Sequence, residues 1–208
     1  ESDISLWQIL DDLEALYQPQ ATDKHISLIV RTTSDVPRCI RSDAFRLRQV
    51  LYNLLSNAIK FTDEGSIILS ITTNKIAGQD VLRFSIKDTG IGISTENQEK
   101  IFDAYFQGSG IITKKYGGTG LGLPICRNLI GIMGGVIAVE SNTDKGAEFW
   151  FTLPNKATLG TEDNISASNV LLAINDRQKK VWFEHFFKIL KIPTESIQDP
   201  MVISSGCL

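Results

Sequence analysis

Asn53, Asn57 and Lys60 recur four and three residues apart within "RLRQVLYNLLSNAIKFT", a spacing that lines them up along one side of an α-helix. Leu47, Val50, Leu51, Leu54, Leu55, Ala58 and Ile59 form the apolar stripe of that helix. At ~100° per residue the two carboxamides and the ammonium fall within an arc of roughly 60° at its border. Such a row offers oxygen to a hard cation and positive charge to phosphate, as a magnesium–nucleotide site requires. A solvated polar flank uses the same residue types, so the helix alone does not decide.

The second stretch is "KDTGIGIS". Asp88 shares strand parity with Leu82, Phe84 and Ile86, which aims its carboxylate toward the side those residues bury. A carboxylate placed there needs a donor. Gly90 and Gly92 allow tight backbone and close approach of a flat ligand. The exocyclic amine of adenine would satisfy Asp88, whereas guanine presents an acceptor; a hydrogen bond to a charged group is worth about 1.5–3 kcal/mol, roughly tenfold to 150-fold between bases. Asp88 could instead cap a turn. An aspartic-protease reading of D-T-G needs a second acidic centre, and this chain has a single D-T-G.

The third stretch is "YGGTGLGLPICRNLI". Of the 16 glycines, 8 fall between residues 90 and 122, and Gly118, Gly120 and Gly122 run directly into a helical pattern. A helix start preceded by bare amides is an anion site. There is no Gly-Lys dipeptide and hence no Walker A loop, the G-x-G-x-x-G spacing of dinucleotide folds is not met, and the kinase triplets H-R-D and D-F-G are missing.

These residues need elements to hold them. Leu6, Ile9, Leu10, Leu13 and Leu16 predict a helix over 5–17 with Pro19 as its stop. "HISLIV" reads as a strand, and Asp43 as the cap of the Asn53 helix. "SIILSITTNK" and "VLRFSIKDTG" alternate around "AGQD", a hairpin. Thr95 with Gln98 matches a capping box, predicting a short helix toward "KIFDAYF". A helix over about 121–133 and the strands "GVIAVES" and "AEFWFTLP" follow. Hairpin strands alternating with helices that cover one face indicate a two-layer α/β sandwich (α+β) of mixed or antiparallel sheet. Residues 1–155 form this domain, 156–169 a polar linker, and 170–208, with a strand "NVLLAI" and a helix over about 176–191, a segment too short for its own core.

A net charge of −3 gives no global basic field, so nucleic acid is not an expected partner. Cys39, Cys126 and Cys207 form no C-x-x-C pair, which indicates neither a disulfide framework nor a zinc site and fits a reducing compartment. The longest apolar run, around 129–139, is too short to span a bilayer. The opening "ESDISLWQILDDL" has no initiator Met and reads as the start of an excised fragment.

Taken in order, the stretches resemble the boxes of the catalytic, ATP-binding domain of bacterial sensor histidine kinases, within the superfamily that includes gyrase, the Hsp90 chaperones and mismatch-repair ATPases. "NLLSNAIKF" resembles the N box, "DTGIGIS" the first glycine box, "IFDAYFQ" the F box and "GGTGLGLPI" the second glycine box, all within about residues 1–155. The resemblance implies the Bergerat ATP-binding fold, its mixed sheet covered on one face, with ATP and Mg2+ as cofactors. It implies that Asn57 ligates Mg2+ with Asn53 in support, and that Lys60 reaches the phosphates, making Asn57 and Lys60 the catalytic pair. It further implies that Phe61 lines the base pocket, that Asp88 accepts from the adenine amine, and that Gly90, Gly92 and Ile93 shape the pocket wall. By the same resemblance, Thr119, Gly120, Leu121 and Gly122 would form the phosphate end, the backbone of the last three holding the phosphates. Residues 103–117 would be a lid carrying Gln107, with Phe102 anchoring it. The implied partners are a dimerisation domain of the same protein carrying the acceptor histidine, missing here, and a downstream response regulator, in a homodimeric full-length protein. The domain would be cytoplasmic, which is compatible with a parent anchored in the bacterial inner membrane.

Departures refine this. ATP-hydrolysing relatives place a Glu base four residues before the Mg-binding Asn; here that position is Asn53, which takes no proton at neutral pH, so hydrolysis should be poor. His25 and His185 lack the family's acceptor setting and read as structural or surface residues. Pro124 stands where the family mostly has Ala or Ser, at little cost in a first helical turn, and Ala104 and Tyr105 stand where many relatives have Pro and Phe. The tail resembles the start of a receiver domain, as in hybrid kinases, but Ile174, Asn175 and Asp176 do not supply its two adjacent acids, so the receiver would be degenerate; a nonspecific extension remains the alternative. Two further functional readings stay open: a regulatory module that binds ATP without transfer, and an ATPase.

Overall fold

The computed structural model describes residues 1–106, 119–143, 145–158, 170–172 and 194–196. Two compact units are present, Glu1–Gly160 and Thr161–Leu208. The first begins with β1 (Ser2–Ser5), α1 (Leu6–Asp23), β2 (Ile26–Thr32), β3 (Cys39–Ser42) and α2 (Ala44–Phe61). It continues through β4 (Gly65–Ile76), β5 (Gln79–Asp88), α3 (Gly122–Ile132), β6 (Val136–Ser141) and β7 (Ala147–Pro154). In the second unit, β8 (Val170–Leu172) pairs in parallel with β9 (Thr194–Ser196). The expected helix over 176–191, the positions 174–176 and His185 lie outside the described residues.

The main sheet has strand order β2-β4-β5-β7-β6. β2 and β4 are parallel and the other pairs antiparallel, so the sheet is mixed. A parallel pair needs a crossover connection, and β3 with α2 supplies it. Alternation along each strand separates the faces: Ile67, Leu69 and Ile71 of β4, Leu82, Phe84 and Ile86 of β5, and Phe149, Phe151 and Leu153 of β7 are all buried. Phe84 and Phe151 stack at the centre, with ring centroids 4.7 Å apart. Leu47, Val50, Leu51, Leu54 and Leu55 of α2 are equally buried in this core. Asp43 caps α2, its carboxylate accepting from Arg46 N at 3.0 Å, and "AGQD" turns the β4–β5 hairpin with Ala77 at φ 49 and Gly78 at φ 79.

Three expectations change. α1 does not stop at Pro19 but runs through it to Asp23. Pro19 forfeits one helical hydrogen bond and its ring crowds the preceding turn, yet the stripe runs across it: Tyr17 before it and Ala21 after it are buried, and Tyr17 Oη donates to Tyr52 O at 3.0 Å. Tertiary burial overrides the local stop. The helix expected from Thr95 is instead two 3-10 turns, Thr95–Asn97 and Lys100–Phe102, because Gln98, the supposed capping-box partner, donates elsewhere. Residues 156–158, read as the start of the linker, lie along β3: Arg41 N donates to Lys156 O at 2.9 Å, Thr158 N to Cys39 O at 3.3 Å, and Lys156 Nζ lies 2.8 Å from Glu1 Oε1. β3 thereby sits between β1 and this segment. Among the described residues no helix is long and apolar enough to cross a membrane.

Pro19→Ala should stabilise the chain by about 1–2 kcal/mol, since the recovered helical hydrogen bond and removed ring clash exceed the entropy Pro removes from the unfolded chain. Urea denaturation reads this out; a lower midpoint would mean that α1 needs the proline.

Candidate functional site

The polar rim of α2 organises the site. Asn53, Asn57, Lys60 and Phe61 are each half-buried beside the fully buried stripe. Asn57 Nδ2 donates to Asn53 Oδ1 at 3.1 Å, so the two carboxamides are one locked pair, and Asn57 Oδ1 takes no part in that bond. The Lys60 ammonium lies 5.1 Å from the centroid of the Phe61 ring. Asn53 and Phe61 are eight residues apart, or ~12 Å along the helix axis, and each end meets a different glycine loop.

At the Phe61 end stands the turn after β5. Asp88 is only 5% exposed. Its Oδ1 accepts from Gly90 N at 2.9 Å and Ala147 N at 3.3 Å, bonds that do not engage Oδ2. Asp88 thus does cap a turn, with one oxygen. Burial holds its carboxyl above the ordinary range, and the two amides pull the other way. Ile91 N donates to Phe61 O at 3.3 Å. Gly90 lies so close to that carbonyl that a methyl group there would overlap Phe61 O. Gly92, at φ 67, has no room for a side chain against Asn142 O.

The wall of this turn is held by residues that the motifs do not mark. Ser141 Oγ accepts from Ile93 N at 2.8 Å and donates to Gly146 O at 2.7 Å. Gln98 Nε2 donates to Ser141 O at 2.7 Å and to Ile93 O at 3.3 Å, which is why it caps no helix. Gly146, at φ 80, faces the backbone of Asp88 and Thr89. Only the lone Gly146 in "SNTDKGAEF" hinted at this in the sequence.

At the Asn53 end stands the start of α3. A methyl group at Gly122 would overlap Asn53 Nδ2 and reach 3.0 Å from its Cγ, so this glycine rests directly on the carboxamide. Leu121 occupies the N-cap position with no side-chain cap; among the described residues Leu121 N donates to Thr119 Oγ1, at 3.4 Å. The first amides of α3 thus stand at the positive end of the helix dipole without a side-chain cap. Gly120, at φ 68, accepts from Tyr105 N at 3.1 Å. Phe102 is buried, with the Arg127 guanidinium 5.9 Å from its ring centroid. Gly118, Gln107 and the lid from residue 107 onward lie outside the described residues. One turn further along the same face of α3, Cys126 is buried, and that burial pushes its thiol up to about 12.

The structure therefore brings Asn53, Asn57, Lys60 and Phe61 onto one helix edge, with Asp88, Gly90, Gly92 and Ile93 at one end and Thr119, Gly120, Leu121 and Gly122 at the other; Phe102 packs beneath Arg127 of α3. Among the described residues there is no cluster of three or more His, Cys, Asp or Glu side chains that could cage a metal. An amide oxygen plus ligand oxygens is the donor set that remains, and it suits a hard, hydrated cation.

The family model described as histidine kinase-, DNA gyrase B-, and HSP90-like ATPase matches residues 42–157. The sensory/regulatory protein RpfC of Xanthomonas campestris pv. campestris is 37% identical over 154 residues, covering 73% of this chain and 21% of that protein. The sensor protein GacS of Pseudomonas syringae pv. syringae is 38% identical over 169 residues, covering 81% and 18%. The chain thus spans about a fifth of the length of these curated relatives. Among solved structures, full-length ShkA in complex with AMPPNP superposes with a TM-score of 0.66 at 29% identity, covering 96% of this chain and 41% of that one. The catalytic domain of histidine kinase ThkA superposes with a TM-score of 0.58 at 29% identity, covering 74% and 95%.

The raised Asp88 pKa predicts a pH signature. The folded state binds this proton more tightly than the unfolded chain, so the contribution is fully favourable below the ordinary value near 3.8 and is lost as pH rises through the folded value. Asp88→Asn should therefore gain stability relative to the native chain on going from pH 4 to pH 7, as read by urea denaturation. An unchanged difference across that range would mean that the carboxylate is not desolvated.

Proposed function

Because this chain belongs to the histidine kinase-, DNA gyrase B- and HSP90-like ATPase family, we propose that the edge of α2 binds Mg-ATP and that the domain transfers the γ-phosphoryl group to a histidine on an adjoining dimerisation domain of the same protein. The observation that carries this reading is the seating of Gly122 on Asn53, with the Asp88 turn seated on Phe61 at the other end of the same helix edge. The base would lie at one end of this edge and the phosphates at the other.

In this reading Asp88 accepts from the exocyclic amine of adenine through Oδ2, with Oδ1 fixed by Gly90 and Ala147. Lys60 supplies positive charge to the phosphates, and the backbone from Thr119 to Gly122 donates to them at the dipole end of α3. Asn57 offers the neutral oxygen for Mg2+, held in register by Asn53; the cation would supply charge neutralisation. Phosphoryl transfer asks little covalent chemistry of the protein, so positioning and electrostatics dominate. Asn53 stands where a water-activating base would be needed and cannot act as one, which keeps the phosphoryl group for a histidine acceptor. The complex of ShkA with AMPPNP and the sensor-kinase names of the relatives support this reading. Residues 1–155 form the catalytic domain in it, and the tail is the start of a degenerate receiver of a hybrid kinase, whose further partner is a response regulator. The full-length protein would be a homodimer, its kinase portion on the cytoplasmic side of a bacterial inner membrane.

Asp88→Ala should weaken ATP binding by about tenfold to 150-fold, the worth of a hydrogen bond to a charged group, while the fold stands; unchanged affinity by calorimetry would remove Asp88 from the base pocket. Lys60→Ala should cost triphosphate binding more than adenosine binding, and equal losses would reassign that lysine. Supplying the histidine-bearing helical hairpin should yield acid-labile phosphate on it from labelled ATP, with phosphate release by the chain alone near background. Tight ATP binding with no transfer would favour a regulatory module instead, and robust release an ATPase.

A further inference from the structure

Lys24 belongs to none of the motifs. It terminates α1 and is followed by His25 at φ 58, whose N–H donates to Thr22 O at 2.9 Å. A β-carbon-bearing residue in this left-handed region is uncommon, and the tight turn it makes leads the chain straight into β2. From this turn Lys24 Nζ crosses to α2, donating to Ile59 O at 2.7 Å and to Thr62 O at 3.1 Å.

Those two carbonyls belong to the C-terminal end of α2, where a helix leaves acceptors without intrahelical partners and where its dipole favours a cation. Between them lie Lys60 and Phe61. The Phe61 carbonyl takes the Ile91 amide, and Gly90, resting on that carbonyl, donates its own amide to Asp88 Oδ1. One ammonium is thus linked by consecutive contacts to the carboxylate at the base end of the site.

We propose that Lys24 is a positioning residue for the adenine end of the nucleotide site. Its ammonium fixes the last turn of α2, and through Phe61 it fixes the Gly90–Ile91 turn that orients Asp88. It touches no nucleotide. The proposal rests on the reading of the site given above and extends it to a residue on α1.

The test uses the whole chain with Lys24→Met, which keeps the stem and removes the charge, and Lys24→Arg, which keeps a cation. Three quantities are read: affinity for Mg-ATP, affinity for adenosine, and hydrogen exchange at the Ile91 amide without nucleotide. Lys24→Met should lose about tenfold in affinity for ATP and by the same factor for adenosine, on the scale of hydrogen bonds to a charged group. Exchange at Ile91 should quicken more than at core β5 amides, and Lys24→Arg should recover most of each loss. Should Lys24→Met lose its cooperative unfolding transition, Lys24→Gln, which keeps one donor group, serves in its place with a smaller loss expected. Native affinities with unchanged Ile91 exchange would overturn the proposal. So would a loss confined to the triphosphate, or one accompanied by uniformly faster exchange and no recovery by arginine. A native chain that binds neither ATP nor adenosine would overturn the nucleotide site itself, and the role of Lys24 with it.

Discussion

The carboxamide of Asn53 has the α-carbon of Gly122 resting on it, and the geometry of the site depends on that contact. It requires a residue with no side chain at the start of α3 and a half-buried polar group on α2, each costly unless the other is there. The contact sets the start of α3 directly beside the Asn53–Asn57 pair. A bulkier residue at position 122 would displace the Asn53 carboxamide and with it the Asn53–Asn57 pair.

The opposite end of α2 follows the same logic with different chemistry. A buried carboxylate is costly in water-poor surroundings, and Asp88 is held there by only two amides on one oxygen. The raised pKa records the part of that cost left uncompensated. A donor arriving at Oδ2 would relieve it. The surrounding wall is cross-linked by Ser141, Gln98 and Gly146, so the carboxylate cannot relax toward solvent. In the proposed site this rigidity would let a single hydrogen bond discriminate between bases.

Local pattern made much of this legible. The period of α2 marked both its buried stripe and its polar rim, strand parity placed Asp88 on the buried face, and glycine density marked the two loops. What stayed hidden depends on long-range contacts. Pro19 read as a stop because local propensity says so, yet burial of Tyr17 and Ala21 carries α1 past it. Gln98 matched a capping box, and only the proximity of Ser141 shows that its amide is engaged elsewhere. Lys24 carried no motif at all; its role is visible only once the end of α2 lies beside the end of α1. The parallel pairing of β2 with β4 was likewise invisible in strands that read alike in either direction.

The central claim is that one ligand lies along α2 and touches both ends at once. A titration with Mg-ATP followed by nuclear magnetic resonance tests it directly, using the side-chain amides of Asn53 and Asn57 and the backbone amides of Gly90 and Gly122. A single ligand along α2 requires all four to shift along one isotherm with one dissociation constant. Shifts confined to one end of the helix, or two ends saturating at different concentrations, would contradict it.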